Sequence, residues 1–266
     1  MSVNSYLTNL ADKLIIRDDE KNSIKKSYDA LEYRLNNYFK DEVGYVSKFG
    51  SYQRNTILPR SYDIHSDVDI LVRFNDDSYM PQSYLNRLKN FAECWYSRSE
   101  IYQSNPTVVL ELNHIKIELV PCIFSGNNSD TYRIPAKATN YEKWLYTSPF
   151  EFDKQLTEKN TLHNSNIKRL IRIMKLWNKK GFKEVYSSFD LENSIVNTNF
   201  YSCLLNGNAQ LKDYFYEFVL GLKYLYFPYQ YQRDKVTNLL NKVQEIKTNE
   251  LYYPVWAENQ LKTIFE

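Results

Sequence analysis

Lys48-Phe49-Gly50-Ser51-Tyr52-Gln53-Arg54-Asn55-Thr56, followed by Ser66-Asp67-Val68-Asp69-Ile70-Leu71-Val72, is the stretch on which the fold of this chain turns. In an extended strand, residues i and i+2 point to the same face. Asp67 and Asp69 are therefore expected to aim at one point, with Val68, Ile70 and Val72 packed behind them. Two carboxylates so placed suit a pair of divalent ions roughly 3.5–4 Å apart, the arrangement used for in-line displacement at phosphorus. The Gly50-Ser51 turn suits close backbone approach to a polyphosphate, because glycine has no side chain in the way. Either piece alone reads more simply as a solvated strand edge or an ordinary turn. Their order, each beside an apolar strand-like run, favours the chemical reading.

Working outward, residues 5–40 read as helical, with Ile24, Tyr28, Leu31, Tyr33, Leu35 and Tyr38 on a loose helical period and Gly44 ending the run. Tyr45 to Phe49 reads as a short strand, residues 55–66 with Pro59 as a connector, Asp67 to Phe74 as a second strand and Pro81 to Ser97 as a helix. Thr107 to Leu112 and Ile115 to Val120 flank Asn113-His114 as a hairpin, with Glu111 opposite Lys116 and with Glu118 on the Lys116 face. Glu118 is thus a third carboxylate candidate, although by itself it reads as a solvent-facing strand residue. A polar loop is expected over residues 125–131. Beyond about residue 150 the pattern is helical only. Ile167 to Lys180 carries an apolar stripe, beside a basic stripe of Lys168, Arg172, Lys175 and Lys179 in which Lys175 reads equally as an ordinary solvated residue or as a functional one. Leu191 to Leu205, Leu211 to Tyr226 and Asp234 to Ile246 complete the expected helices. The fold class is therefore α/β (α+β): a mixed domain over 1–150 with N-terminal helices, then a helical domain over 151–266 closing a nucleotide cleft.

Composition narrows the function classes. A net charge of +2 over 266 residues is not the footprint of a protein held to nucleic acid by bulk electrostatics. The 24 tyrosines make any single aromatic a weak functional clue. Three well-separated cysteines, Cys94, Cys122 and Cys203, suggest neither a disulfide framework nor a zinc site, and fit a reducing cytoplasm. No run long enough for a membrane span and no signal peptide are read. His65, His114 and His163 are assigned no role.

The motifs Phe49-Gly50-Ser51-Tyr52-Gln53-Arg54-Asn55-Thr56-Ile57-Leu58-Pro59-Arg60, His65-Ser66-Asp67-Val68-Asp69 and Ile117-Glu118-Leu119-Val120-Pro121 resemble those of the bacterial cGAS/DncV-like nucleotidyltransferases (CD-NTases), most of all the CdnE branch. Arg172, Lys175 and Trp177 on one helix, and the run Ser187-Ser188-Phe189-Asp190-Leu191-Glu192, extend the likeness into the helical lobe. The resemblance implies a polymerase-β-like core and a magnesium-dependent enzyme that joins nucleoside triphosphates into a cyclic oligonucleotide, expected to be a cyclic dinucleotide. It also implies a separate effector protein that the product activates in antiphage defence (CBASS). Carried over by position, Asp67, Asp69 and Glu118 would be the catalytic carboxylates and would hold two Mg2+ ions, with Mn2+ as a substitute. Glu118 could serve as metal ligand or as base. Gly50, Ser51, Lys175 and Ser188 would hold the triphosphate and Phe189 would stack on a base, with Asn164 and Asn166 as candidates for base choice. A cytoplasmic monomer with no DNA or RNA activator and no membrane is expected. Transfer of nucleotides to a protein or RNA acceptor is the second reading, and a non-catalytic nucleotide sensor the third.

Overall fold

In a computed structural model the protein is described at residues 2–104, 106–126, 131–136, 140, 142–181 and 183–266. Most of the polar loop expected over 125–131 lies outside these residues. Contacts divide the chain into two units: Ile16–Lys154, and Met1–Ile15 together with Gln155–Glu266.

The first unit is a mixed sheet with helices. Its strands are β1 (Val43–Phe49), β2 (Asp67–Phe74), β3 (Glu100–Ser104), β4 (Thr107–Glu111), β5 (Lys116–Phe124), β6 (Tyr132–Pro135) and β7 (Trp144–Thr147). They form a seven-stranded sheet in the order β1-β2-β5-β4-β3, with β6 joining the end of β5 and β7 pairing with β6. The β2–β5 pair is parallel and the others are antiparallel. The hairpin register is the expected one, with Glu111 opposite Lys116.

Alternation sorts the sheet into two faces. On one, Val68, Ile70, Val72 and Phe74 of β2 and Ile117, Leu119 and Ile123 of β5 join a core with two helices, α2 (Asp18–Phe39) and α4 (Pro81–Trp95). Helix α2 opens on Asp18, Asp19 and Glu20, which complement its N-terminal dipole, and buries Ile24, Tyr28, Leu31, Leu35 and Phe39 on one stripe. Helix α4 starts with Pro81 in the first turn, where no amide donor is needed. Ring contacts tie the three elements together, Phe39 edge-on to Phe74 at 5.2 Å and Phe74 tilted against Tyr84 at 5.0 Å. The other face carries a smaller cluster of Leu71, Val120, Cys122 and Tyr132, and there the acidic residues emerge.

The second unit is helical. It contains α1 (Val3–Lys13), most of α5 (Pro149–Leu162), α6 (Asn166–Lys179), α7 (Ser188–Asn197), α8 (Tyr201–Leu205), α9 (Leu211–Gly221), α10 (Gln230–Asn249) and α11 (Pro254–Phe265). Helix α1 packs on α6, α9 and α11, so the structure separates the two N-terminal helices that the sequence reading places together in the first domain. The single helix expected over 191–205 is broken. The ammonium of Lys159 donates to the carbonyls of Val196 (2.6 Å) and Thr198, which ends α7 there. Within the basic stripe of α6, Arg172 and Lys175 are buried, so the solvated reading of Lys175 does not hold. Burial pulls the Arg172 guanidinium down to about 10. Among the described residues no helix is long and apolar enough to cross a membrane.

Candidate active site

Two adjacent strands build the candidate site. Asp69 of β2 lies in register with Glu118 of β5, and Asp67 with Lys116, so three carboxylates and one ammonium stand side by side on one sheet face. Antiparallel pairing places Phe49, the last residue of β1, beside Asp69. The chain then turns at Gly50, whose φ of +69° lies in the left-handed region, into the single helical turn α3 (Gly50–Gln53). A Cβ added at Gly50 would stand 2.1 Å from Asp69 Oδ2. Glycine here serves two needs, the backbone angle and the close approach of Asp69. The turn is held from downstream: the amides of Thr56 and Ile57 both donate to the Ser51 carbonyl, at 2.9 and 3.1 Å. Arg54, at its end, is buried, with Nη1 3.1 Å from Asp153 Oδ1.

The electrostatics centre on Lys116. Its Nζ lies 3.0 Å from Asp67 Oδ2 and 2.8 Å from Glu118 Oε1. Thr107 Oγ1 donates to Glu118 Oε2 at 3.3 Å. Burial, and then the charge of Asp67, raise the Glu118 carboxyl above its ordinary value. Burial lowers the Lys116 ammonium, but the Glu118 hydrogen bond and the Asp67 charge outweigh it and hold the ammonium above the usual lysine value. Among the described residues no three His, Cys, Asp or Glu side chains are gathered as a metal site, and the Lys116 ammonium lies between Asp67 and Glu118. By donor chemistry the set fits a hard cation: three carboxylates from neighbouring strands, all oxygen ligands of the kind Mg2+ and Mn2+ prefer.

The remaining expected residues lie in the helical unit. Lys175 on α6 is buried in an ion pair with Glu192 on α7. Asn178 accepts from the amides of Val185 and Tyr186 (2.9 and 3.1 Å) and donates to the Tyr186 carbonyl (2.8 Å), which fixes the approach to α7. Ser187 caps that helix through its hydroxyl, which accepts from the Asp190 amide at 3.1 Å. Ser188 follows in the first turn, and Phe189 is 52% exposed. Asn166 is buried and bonded to Tyr214. The structure thus brings Asp67, Asp69, Glu118 and Gly50 together, with Ser51 beside them, and separately brings Lys175 to Glu192. Sequence reasoning misses Lys116 as a member of the site. Its place on the Glu118 face is legible from the hairpin, but its contact with Asp67 depends on a parallel pairing between distant strands.

Residues 1–160 match the family described as Second Messenger Oligonucleotide or Dinucleotide Synthetase (SMODS) domain. A probable cyclic nucleotide synthase of Bacillus cereus (strain VD146) is 28% identical over 129 residues, a stretch that is 47% of this chain and 38% of that relative. Among solved structures, the Vibrio cholerae DncV apo form superposes with a TM-score of 0.77 at 14% identity, covering 99% of this chain and 95% of that one. The STING-associated CdnE c-di-GMP synthase of Capnocytophaga granulosa gives 0.69 at 17% identity, covering 91% and 85%. The family match runs over more than half of the chain, and the α/β fold is that of the polymerase-β-like CD-NTases. The chain therefore belongs to the SMODS family, the second messenger oligonucleotide or dinucleotide synthetases.

Proposed function

We propose that the protein is a metal-dependent nucleotidyltransferase that joins nucleoside triphosphates into a cyclic oligonucleotide, in the first instance a cyclic dinucleotide, and that this product activates a separate effector in antiphage defence. The observation that carries the reading is the placement of Asp67, Asp69 and Glu118 on one face of β2 and β5, with Gly50 against Asp69, in a SMODS chain. Relatives described as a dinucleotide cyclase and a c-di-GMP synthase support the dinucleotide product.

Asp67, Asp69 and Glu118 would hold the magnesium ions. Bound there, the metal would lower the pKa of the attacking ribose hydroxyl and screen the charge of the departing pyrophosphate. The residues of this chain then supply position more than covalent chemistry. The bare Cα of Gly50 and the clamped carbonyl of Ser51 keep that backbone fixed where a triphosphate would lie. Phe189, more than half exposed, suits base stacking, and Ser188 beside it a phosphate contact. Glu192 already holds the Lys175 ammonium, so a triphosphate contact by Lys175 would have to compete with that pair.

Incubation of the purified protein with nucleoside triphosphates, singly and in pairs, with Mg2+ or Mn2+, tests the proposal. The expected product is phosphatase-resistant, has the mass of a cyclic dinucleotide and falls by at least about a thousandfold in Asp67→Ala/Asp69→Ala. Labelled nucleotide appearing instead on a protein or RNA acceptor would overturn the cyclic product while keeping the transferase.

A further inference from the structure

We propose that Lys116 is a tethered cation that occupies the Asp67–Glu118 pair in the metal-free protein, leaves when a divalent ion is held there, and so sets the metal concentration at which the site loads. The inference rests on the reading of Asp67, Asp69 and Glu118 as metal ligands.

Geometry carries it. Lys116 reaches Asp67 and Glu118 by two different routes. Parallel registry sets it beside Asp67, and the two-residue strand repeat sets it on the Glu118 face. Its single ammonium touches both carboxylates, at 3.0 and 2.8 Å. Among the described residues no other cationic side chain is paired with either acid, although Thr107 also donates to Glu118. One positive charge between two carboxylates leaves negative charge in excess, which a divalent ion would balance better. Tethering compensates for the weaker charge by keeping the ammonium at high effective concentration.

The exit is open as well. Lys116 is the first residue of β5, close after the Asn113-His114 turn, and its side chain is partly exposed. A flexible four-carbon stem can carry the ammonium to water without moving the strand. The device differs from a structural salt bridge in one checkable respect: metal binding and the lysine contact exclude each other.

The protein is first stripped of metal with a chelator. Mn2+ binding is then followed by the electron paramagnetic resonance signal of the free ion, in wild type, Lys116→Met, Lys116→Arg and Asp69→Ala. Lys116→Met is expected to bind Mn2+ about tenfold more tightly, while Lys116→Arg, which keeps the charge, stays at or below wild-type affinity. In parallel, wild type is acetylated at amines with and without Mn2+, and Lys116 is read by mass spectrometry, a measurement that needs no variant to fold. Lys116 should be protected without the ion and reactive with it. Unchanged Mn2+ affinity in a folded Lys116→Met, or unchanged Lys116 reactivity at saturating Mn2+, overturns the inference. Wild-type Mn2+ binding by Asp69→Ala would overturn the metal-ligand reading itself. Loss of binding there, with Lys116→Met unchanged, would overturn only the role of Lys116.

Discussion

Lysine meets carboxylate in both units, and the two meetings are built on different terms. In the helical unit the ammonium of Lys175 meets the carboxylate of Glu192, with side chains 5% and 1% exposed. In the mixed unit Lys116 serves Asp67 and Glu118 together, and the three side chains are 17%, 32% and 19% exposed. In a sealed pair each charge answers the other, and removing either member takes from a buried charge its partner. A partly open group with more anions than cations keeps an appetite for positive charge. Both lysines sit close to the motifs that mark the family likeness, so motif membership does not separate them. Charge balance and access to water do.

The largest expected effect lies in the sealed pair. Lys175→Met should lower unfolding free energy by about 3–5 kcal/mol, because Glu192 loses its ammonium partner inside the protein. Urea unfolding measures this, and the double variant Lys175→Met/Glu192→Leu should recover most of the loss. A loss under about 1 kcal/mol would break the comparison and leave Lys175 available to a triphosphate.

Gly50→Ala should act next most strongly, and on the open group. The new methyl would collide with Asp69 and the backbone would be held at positive φ, so a loss of about 1–2 kcal/mol is expected, along with displacement of the carboxylate. Chemical unfolding gives the first quantity. Pyrophosphate release should drop by more than the stability loss alone would bring, and an equal, small drop would show that Asp69 does not need its present position.

Glu118→Gln is the subtlest. The folded protein holds the Glu118 proton more tightly than the unfolded chain does, through burial and the charge of Asp67. Stability of the wild type should therefore fall as pH rises from the ordinary glutamate value of 4.5 through the raised one. Glu118→Gln carries no such proton, so its stability should change less across the same window. Thermal unfolding at stepped pH in chelator compares them, and parallel curves would argue that Lys116 fully neutralises the group.

The open site is more legible in sequence than the sealed one, for physical reasons. The strand from Asp67 to Phe74 and the hairpin at Asn113-His114 announce themselves by alternation and turn chemistry, which are local signals. From them follow the shared face of Asp67 and Asp69 and the place of Glu118. The pairing of Lys116 with Asp67 is non-local, and no periodicity encodes it. Edge strand β3 shows no buried position, so it lacks the apolar alternation by which a strand is recognised. Helix α6 misleads for the opposite reason. Its polar stripe looks solvated because lysine and arginine usually are, yet tertiary packing covers Arg172 and Lys175. The break at Thr198 is equally hidden, since the Lys159 ammonium that ends α7 comes from far back in the chain.

Helix α1 has a consequence for the order in which the protein is made. Residues 16–154 form one uninterrupted unit, whereas Val3, Leu7 and Ala11 bury themselves in a unit whose other members begin at Gln155. During synthesis the mixed unit has all its strands long before α6, α9 and α11 leave the ribosome. Helix α1 is thus an amphipathic segment that is made well ahead of the helices it packs on. Its contacts span a loop of more than a hundred residues, and closing so long a loop carries an entropic cost that contacts within residues 16–154 do not share.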